Sequence, residues 1–144
     1  MNFKDINIGQ MMEILVTESG IEISRICNFM KSTEEEIEEM YQSKSLDTEV
    51  LLKWSKLLGY DFFRVYSQHL ILYSPPSAKH EENKVMAKSS LPQFRKNIYT
   101  KEVIDFVMEQ VFTGEMTKNQ VIERYRIPKT TLYKWISKYG SSKN

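Results

Sequence analysis

Apolar residues in this chain recur every three or four positions, the spacing of amphipathic helices, and strand-like alternation is scarce. Ile8, Met11, Met12, Leu15 and Val16 share one helical face, and Gly20 is placed to end that helix in a left-handed cap. Ile21, Ile23, Ile26, Cys27 and Met30 predict a second short helix. The run Ser32 to Glu36 offers two overlapping capping boxes, Ser32 with Glu35 or Thr33 with Glu36, to open a third. Its inward residues are expected to be Ile37, Met40 and Tyr41. Asp47 can cap a fourth helix, with Val50, Leu51, Trp54, Leu57 and Leu58 as its stripe and Gly59 as its stop. Asp61 can cap a fifth, carrying Phe62, Phe63, Val65 and Tyr66.

The pattern then breaks. Ser74-Pro75-Pro76-Ser77 ends helix, because proline lacks a donor and disfavours helix before it. Polar residues continue to Leu91-Pro92, so residues 74–92 are expected to be a linker. Beyond it, Thr100 can cap a helix with Val103, Ile104, Val107, Met108 and Val111 along one side, ending near Thr113-Gly114. Thr117 and Gln120 form a capping box, with Met116 set to staple onto Val121, and Val121, Ile122 and Tyr125 point inward. In Arg126-Ile127-Pro128, Ile127 is expected to plug the core and Pro128 to occupy the first turn of a last helix, which Gly140 stops. The fold class expected is all-α, in two small helical domains: a five-helix domain over residues 1–73 and a trihelical one over 93–144.

Composition adds two points. A hydrophobic content of 41% with 27% charged residues fits a globular chain able to build a core. The net charge of +1 hides a split. Residues 1–74 hold seven Lys/Arg against twelve Asp/Glu, and residues 75–144 hold thirteen against seven, so an acidic half precedes a basic one. The single cysteine, Cys27, excludes an internal disulfide, suits a reducing compartment and is expected to be a small buried hydrophobe. The N-terminus lacks the apolar core of a signal peptide, and no apolar run reaches spanning length. A cytoplasmic location without membrane contact is expected.

The last helix has two chemically distinct faces. At about 100° per residue, Leu132, Trp135, Ile136 and Tyr139 fall together, while Thr130, Tyr133, Lys134 and Ser137 fall opposite, flanked by Lys129, Thr131 and Lys138. A helix that packs on its own domain and lies in a DNA major groove needs this division.

Met116 to Tyr139, with Val121-Ile122, Arg124-Tyr125-Arg126-Ile127-Pro128-Lys129-Thr130-Thr131-Leu132-Tyr133-Lys134-Trp135 and Lys138-Tyr139, resembles the helix-turn-helix of insertion-sequence transposase first-frame proteins. The resemblance implies that Lys129, Thr130, Thr131, Tyr133 and Lys134 contact bases and phosphates of double-stranded DNA. Ser137 and Lys138 would reach the backbone, as would Lys118, Arg124 and Arg126. Arg95 and Lys96, just before the module, are further candidates for a backbone contact. Ile8-Gly9, Gly20-Ile21 and Leu51 to Asp61 resemble the phage-repressor (Cro/repressor-like) helix-turn-helix domain. The segment matching that family's recognition helix, Ser32–Tyr41, carries Glu34, Glu35, Glu36, Glu38 and Glu39, which DNA phosphates would repel. That run reads either as a solvated acidic helix face or as a protein-contact surface, and the acidic half is expected to handle protein contacts or dimerisation. The dense apolar run Phe62, Phe63, Tyr66, Leu70, Ile71, Leu72 and Tyr73 reads either as core filling or as a dimer surface.

No catalytic, metal or cofactor site is expected. His69 and His80 sit far from any plausible catalytic Ser or Cys or metal-ligand cluster, and the acidic residues of the N-terminal half sit on helices without a strand framework. The implied partners are duplex DNA, a second copy of the chain and a catalytic transposase. A stand-alone transcriptional regulator and a protein-interaction adaptor on the same scaffold are the competing readings.

Overall fold

The computed structural model describes residues 2–74, 89–92 and 97–140. Among them the chain is all helical, with eight α-helices and no strand. These are α1 (Ile8–Ser19), α2 (Ile23–Met30), α3 (Glu34–Gln42), α4 (Thr48–Leu58), α5 (Phe62–Tyr73), α6 (Lys101–Phe112), α7 (Lys118–Tyr125) and α8 (Lys129–Tyr139). They fall into two compact units, Asn2–Ser67 and the chain from Gln68 onward. That division lies inside α5, whereas the polar linker read from sequence begins at Ser74, and residues 75–88 lie outside the described residues.

In the first unit α1 and α2 each pack against both α3 and α4. Ile8, Met12, Ile26, Met30, Ile37, Tyr41, Leu51, Trp54 and Phe62 make the buried cluster. The remaining expected core positions, among them Met11, Leu15, Val16, Met40, Val50, Leu57 and Leu58, pack partly buried against it. Cys27 belongs to this outer group and is half-buried, not enclosed as expected, while Ile23 is exposed. The reason is position on α2: Ile26 and Met30, one turn apart, take the central line.

Helix α1 begins against the end of α3. The Ile8 amide donates to the Lys44 carbonyl (3.1 Å) and the Gly9 amide to that of Ser43 (3.0 Å). At Gly9 an added Cβ would lie 2.2 Å from the Tyr41 carbonyl oxygen and within 2.6 Å of those of Ser43 and Met40. Only glycine allows so close a backbone approach.

Local capping sets the helix ends. Thr33 and Glu36 form the reciprocal capping box of α3, the second of the two registers read from sequence. Asp47 accepts from the Glu49 amide at the start of α4, and Asp61 from the Arg64 amide at the start of α5. Gly20 and Gly59 end α1 and α4 in the left-handed conformation. Lys31 (φ 59°) and Arg126 (φ 52°) take that same conformation after α2 and α7, although L-residues with a Cβ are strained there.

The second unit is a three-helix arrangement in which α6, α7 and α8 each contact the other two. Val103, Val107, Met108, Val121, Tyr125, Ile127, Leu132 and Trp135 are its buried residues on these helices and the α7–α8 turn. Trp135 meets the edge of Tyr99 (4.9 Å between centroids, 82°), and Phe106 meets Tyr125 at 6.4 Å. The second half of α5 adds a polar clasp. Gln68, fully buried, donates through Nε2 to the Ile98 carbonyl (2.6 Å) and accepts at Oε1 from the Thr100 amide (3.0 Å). Thr100 in turn caps α6 through its hydroxyl, which accepts from Val103. One amide side chain thus satisfies a carbonyl and an amide of the segment leading into α6.

Candidate nucleic-acid interface

The two-faced helix of the sequence reading is α8, and its position follows from the turn before it. Helix α7 starts on a capping box in which the Gln120 amide donates to Thr117 Oγ1 and the Thr117 amide to Gln120 Oε1. It ends at Arg126, whose left-handed backbone reverses the chain and lets Ile127 drop into the core at 1% exposure. Pro128 is then the N-cap of α8 with an extended ψ of 136°, one position earlier than the first-turn place expected for it. The Leu132 amide already closes a helical bond onto the Pro128 carbonyl, so the proline starts the helix from outside. Gly140 caps the other end in a right-handed conformation.

Burial divides α8 along the expected line. Leu132 and Trp135 are buried and Ile136 and Tyr139 half-buried. On the other side Lys129, Thr130, Tyr133, Lys134, Ser137 and Lys138 are exposed, with Thr131 half-buried at the margin. From the preceding helix and turn, Lys118, Arg124 and Arg126 are exposed as well. Arg95 and Lys96 lie outside the described residues.

Charge accumulates on this surface. Between Met116 and Gly140 six cations, Lys118, Arg124, Arg126, Lys129, Lys134 and Lys138, accompany a single carboxylate, Glu123. None of the six pairs with a carboxylate among the described residues, where the ion pairs are Lys44–Asp5 and Arg64–Asp61. Several lie over aromatic rings instead. The ammonium groups of Lys118 and Lys129 stand 5.4 and 5.6 Å from the centroid of Tyr133. Arg124 lies over its neighbour Tyr125, and Lys138 over Tyr139. Tyr133 also borders a shallow groove with Val111, Gly114, Met116, Thr117, Lys118 and Asn119, so it rests beside the α6–α7 turn at 44% exposure. Solvated cations with no carboxylate to satisfy them are available to phosphate oxygens.

In the first unit, α3 has an exposed face of the opposite sign. Glu34, Glu35, Glu36, Glu38 and Glu39 are all exposed on α3, while Ile37 and Tyr41 face the core. Among the described residues, no three His, Cys, Asp or Glu side chains group so as to hold a metal ion, and no helix is long and apolar enough to cross a membrane. Two features have no local sequence signal. The bonding partners of Gln68 are 30 and 32 residues away, and the ring contact between Lys118 and Tyr133 joins different helices. No protein-family model, curated protein or solved structure matches this chain.

Proposed function

We propose that this chain is a non-enzymatic, sequence-specific double-stranded DNA-binding protein that lays α8 in the major groove. The observation carrying this reading is the exposed face of α8. It presents Lys129, Thr130, Tyr133, Lys134, Ser137 and Lys138 to solvent, opposite buried Leu132 and Trp135, with every cation on it unpaired among the described residues. An α-helix fits the major groove; lysine and threonine hydrogen-bond base edges or phosphates there. Lys118, Arg124 and Arg126 supply backbone contacts that set the register of α8 on the duplex. Arg95 and Lys96 extend the basic segment toward the linker.

The biological setting proposed is a transposase-associated DNA-binding subunit acting with a separate catalytic transposase in the cytoplasm, on the resemblance of Met116–Tyr139. The acidic first unit serves protein contacts, including a homodimer, because its matching helix α3 displays five carboxylates. A stand-alone transcriptional regulator is the alternative that uses the same DNA-reading face.

Selection of bound sequences from a random duplex pool, followed by affinity measurement across a salt series, tests the proposal. A defined site should emerge, affinity should fall steeply with salt, and a Lys129→Ala/Lys134→Ala variant should bind at least ten-fold more weakly. Absence of duplex binding at low salt would sink it and leave the adaptor reading in its place.

A further inference from the structure

We propose that Tyr133 is the specificity-determining residue of this interface, reading the 5-methyl group of a thymine, and that Lys118 and Lys129 position its ring for that contact. The inference rests on the duplex-DNA reading of α8 and adds which base feature is read and by which atoms.

Three observations lead to it. Tyr133 is the one large aromatic on a face whose other members are lysines, threonine and serine, and it is 44% exposed. A tyrosine at such a position leaves apolar ring surface in water, a loss that contact with an apolar group would recover. In the major groove the thymine methyl is the apolar group that base pairs present. Second, the ring is held from two helices: Lys118 of α7 and Lys129 of α8 place their ammonium groups 5.4 and 5.6 Å from its centroid. Cations are drawn to the negative face of the ring, so the pair restricts how the ring turns about its side-chain bonds. Third, Tyr133 borders the groove formed by Val111, Gly114, Met116, Thr117, Lys118 and Asn119, which places this part of the ring's surroundings on its own unit. Lys118 therefore acts through Tyr133 as a positioning residue, besides any phosphate it meets.

The test uses the full chain and the duplex selected from the random pool, with each thymine replaced in turn by deoxyuridine, which removes only the methyl. One position in each bound site should show about a four-fold loss of affinity, the value of one buried methyl-sized group. Tyr133→Ala should lower affinity for the thymine duplex and erase the thymine-over-uracil ratio at that position alone, while Tyr133→Phe keeps it. Lys118→Met should reduce the ratio and Lys118→Arg restore it. A selected site without thymine, equal affinity for all uracil-substituted duplexes, or loss of the ratio in Tyr133→Phe each overturns the assignment while the DNA-binding proposal stands. An equal weakening of thymine and uracil duplexes by Lys118→Met overturns the positioning role. A wild-type chain that binds no duplex removes this inference together with the reading beneath it.

Discussion

Tyr41 carries its hydroxyl into the core of the first unit, where no described group bonds to it. A buried hydroxyl without a partner costs about 1–3 kcal/mol. Tyr41→Phe is therefore expected to raise the urea midpoint of that unit, by about 1 kcal/mol in stability, and a lower midpoint would show that the hydroxyl has a partner. Burial also pushes the Tyr41 phenol above its ordinary value of 10.0, with Glu38, Glu13 and Cys27 adding to it. The folded chain then keeps a proton that the unfolded chain loses near pH 10, so this group's contribution to stability falls as pH rises past that value. Absorbance titration of the folded protein should show a tyrosine step above the ordinary range, and Tyr41→Phe should remove that step. Gln68 is the opposite case, a buried polar side chain with both ends used. Gln68→Ala leaves a carbonyl and an amide open and should cost about 2–4 kcal/mol. The fluorescence of Trp135 in a Trp54→Phe background, where it is the only tryptophan, reads that loss. Neither role was legible from sequence. Tyr41 has the apolar spacing of a core residue, and nothing near Gln68 in the chain reveals partners some thirty positions away.

At the scale of elements, the sequence was most informative where the determining contact spans three residues. The boxes Thr33–Glu36 and Thr117–Gln120 and the caps Asp47 and Thr100 each bond within the first helical turn, so residue types suffice to place a helix start. Ends set by tertiary demand were harder to see. Lys31 and Arg126 close their helices in a glycine-like conformation because the chain must turn there, and neither residue announces it. Lys31→Gly should relieve that strain and stabilise the first unit by about 0.5–1 kcal/mol after glycine's own entropic cost, which thermal unfolding would detect. The seat of α1 on α3 gives the sharper prediction. Gly9→Ala puts a methyl against three carbonyl oxygens that belong to backbone and cannot swing aside. A loss of roughly 3 kcal/mol or more is expected in urea unfolding, and a loss under 1 kcal/mol would mean that α1 and α3 separate easily.

Across the whole molecule, the charge split maps onto the structure as an acidic α3 in the first unit and, in the second, a basic surface on α7 and α8 whose cations pair with no carboxylate among the described residues. If all six cations between Met116 and Gly140 meet phosphates, the logarithm of affinity should fall against the logarithm of salt with a slope of about −5. Removing Lys129 and Lys134 should make that slope shallower by about 2, and an unchanged slope would place those side chains away from the backbone. The helical class and the two faces of α8 were both legible in the sequence because each is written as periodicity. The boundary between units was not, because α5 is one continuous helix whose residues from Gln68 on belong with the second unit.

The continuity of α5 through Gln68 bears on how the protein can be taken apart. The prolines after Ser74 invite a cut there, and a fragment starting beyond them would hold α6, α7 and α8 with the whole basic surface intact. It would also leave behind the one amide that closes the Ile98 carbonyl and the Thr100 amide. An excised piece meant to stand alone should therefore begin upstream of α5, and a shorter one should gain stability when Phe62–Tyr73 is supplied in trans as a peptide.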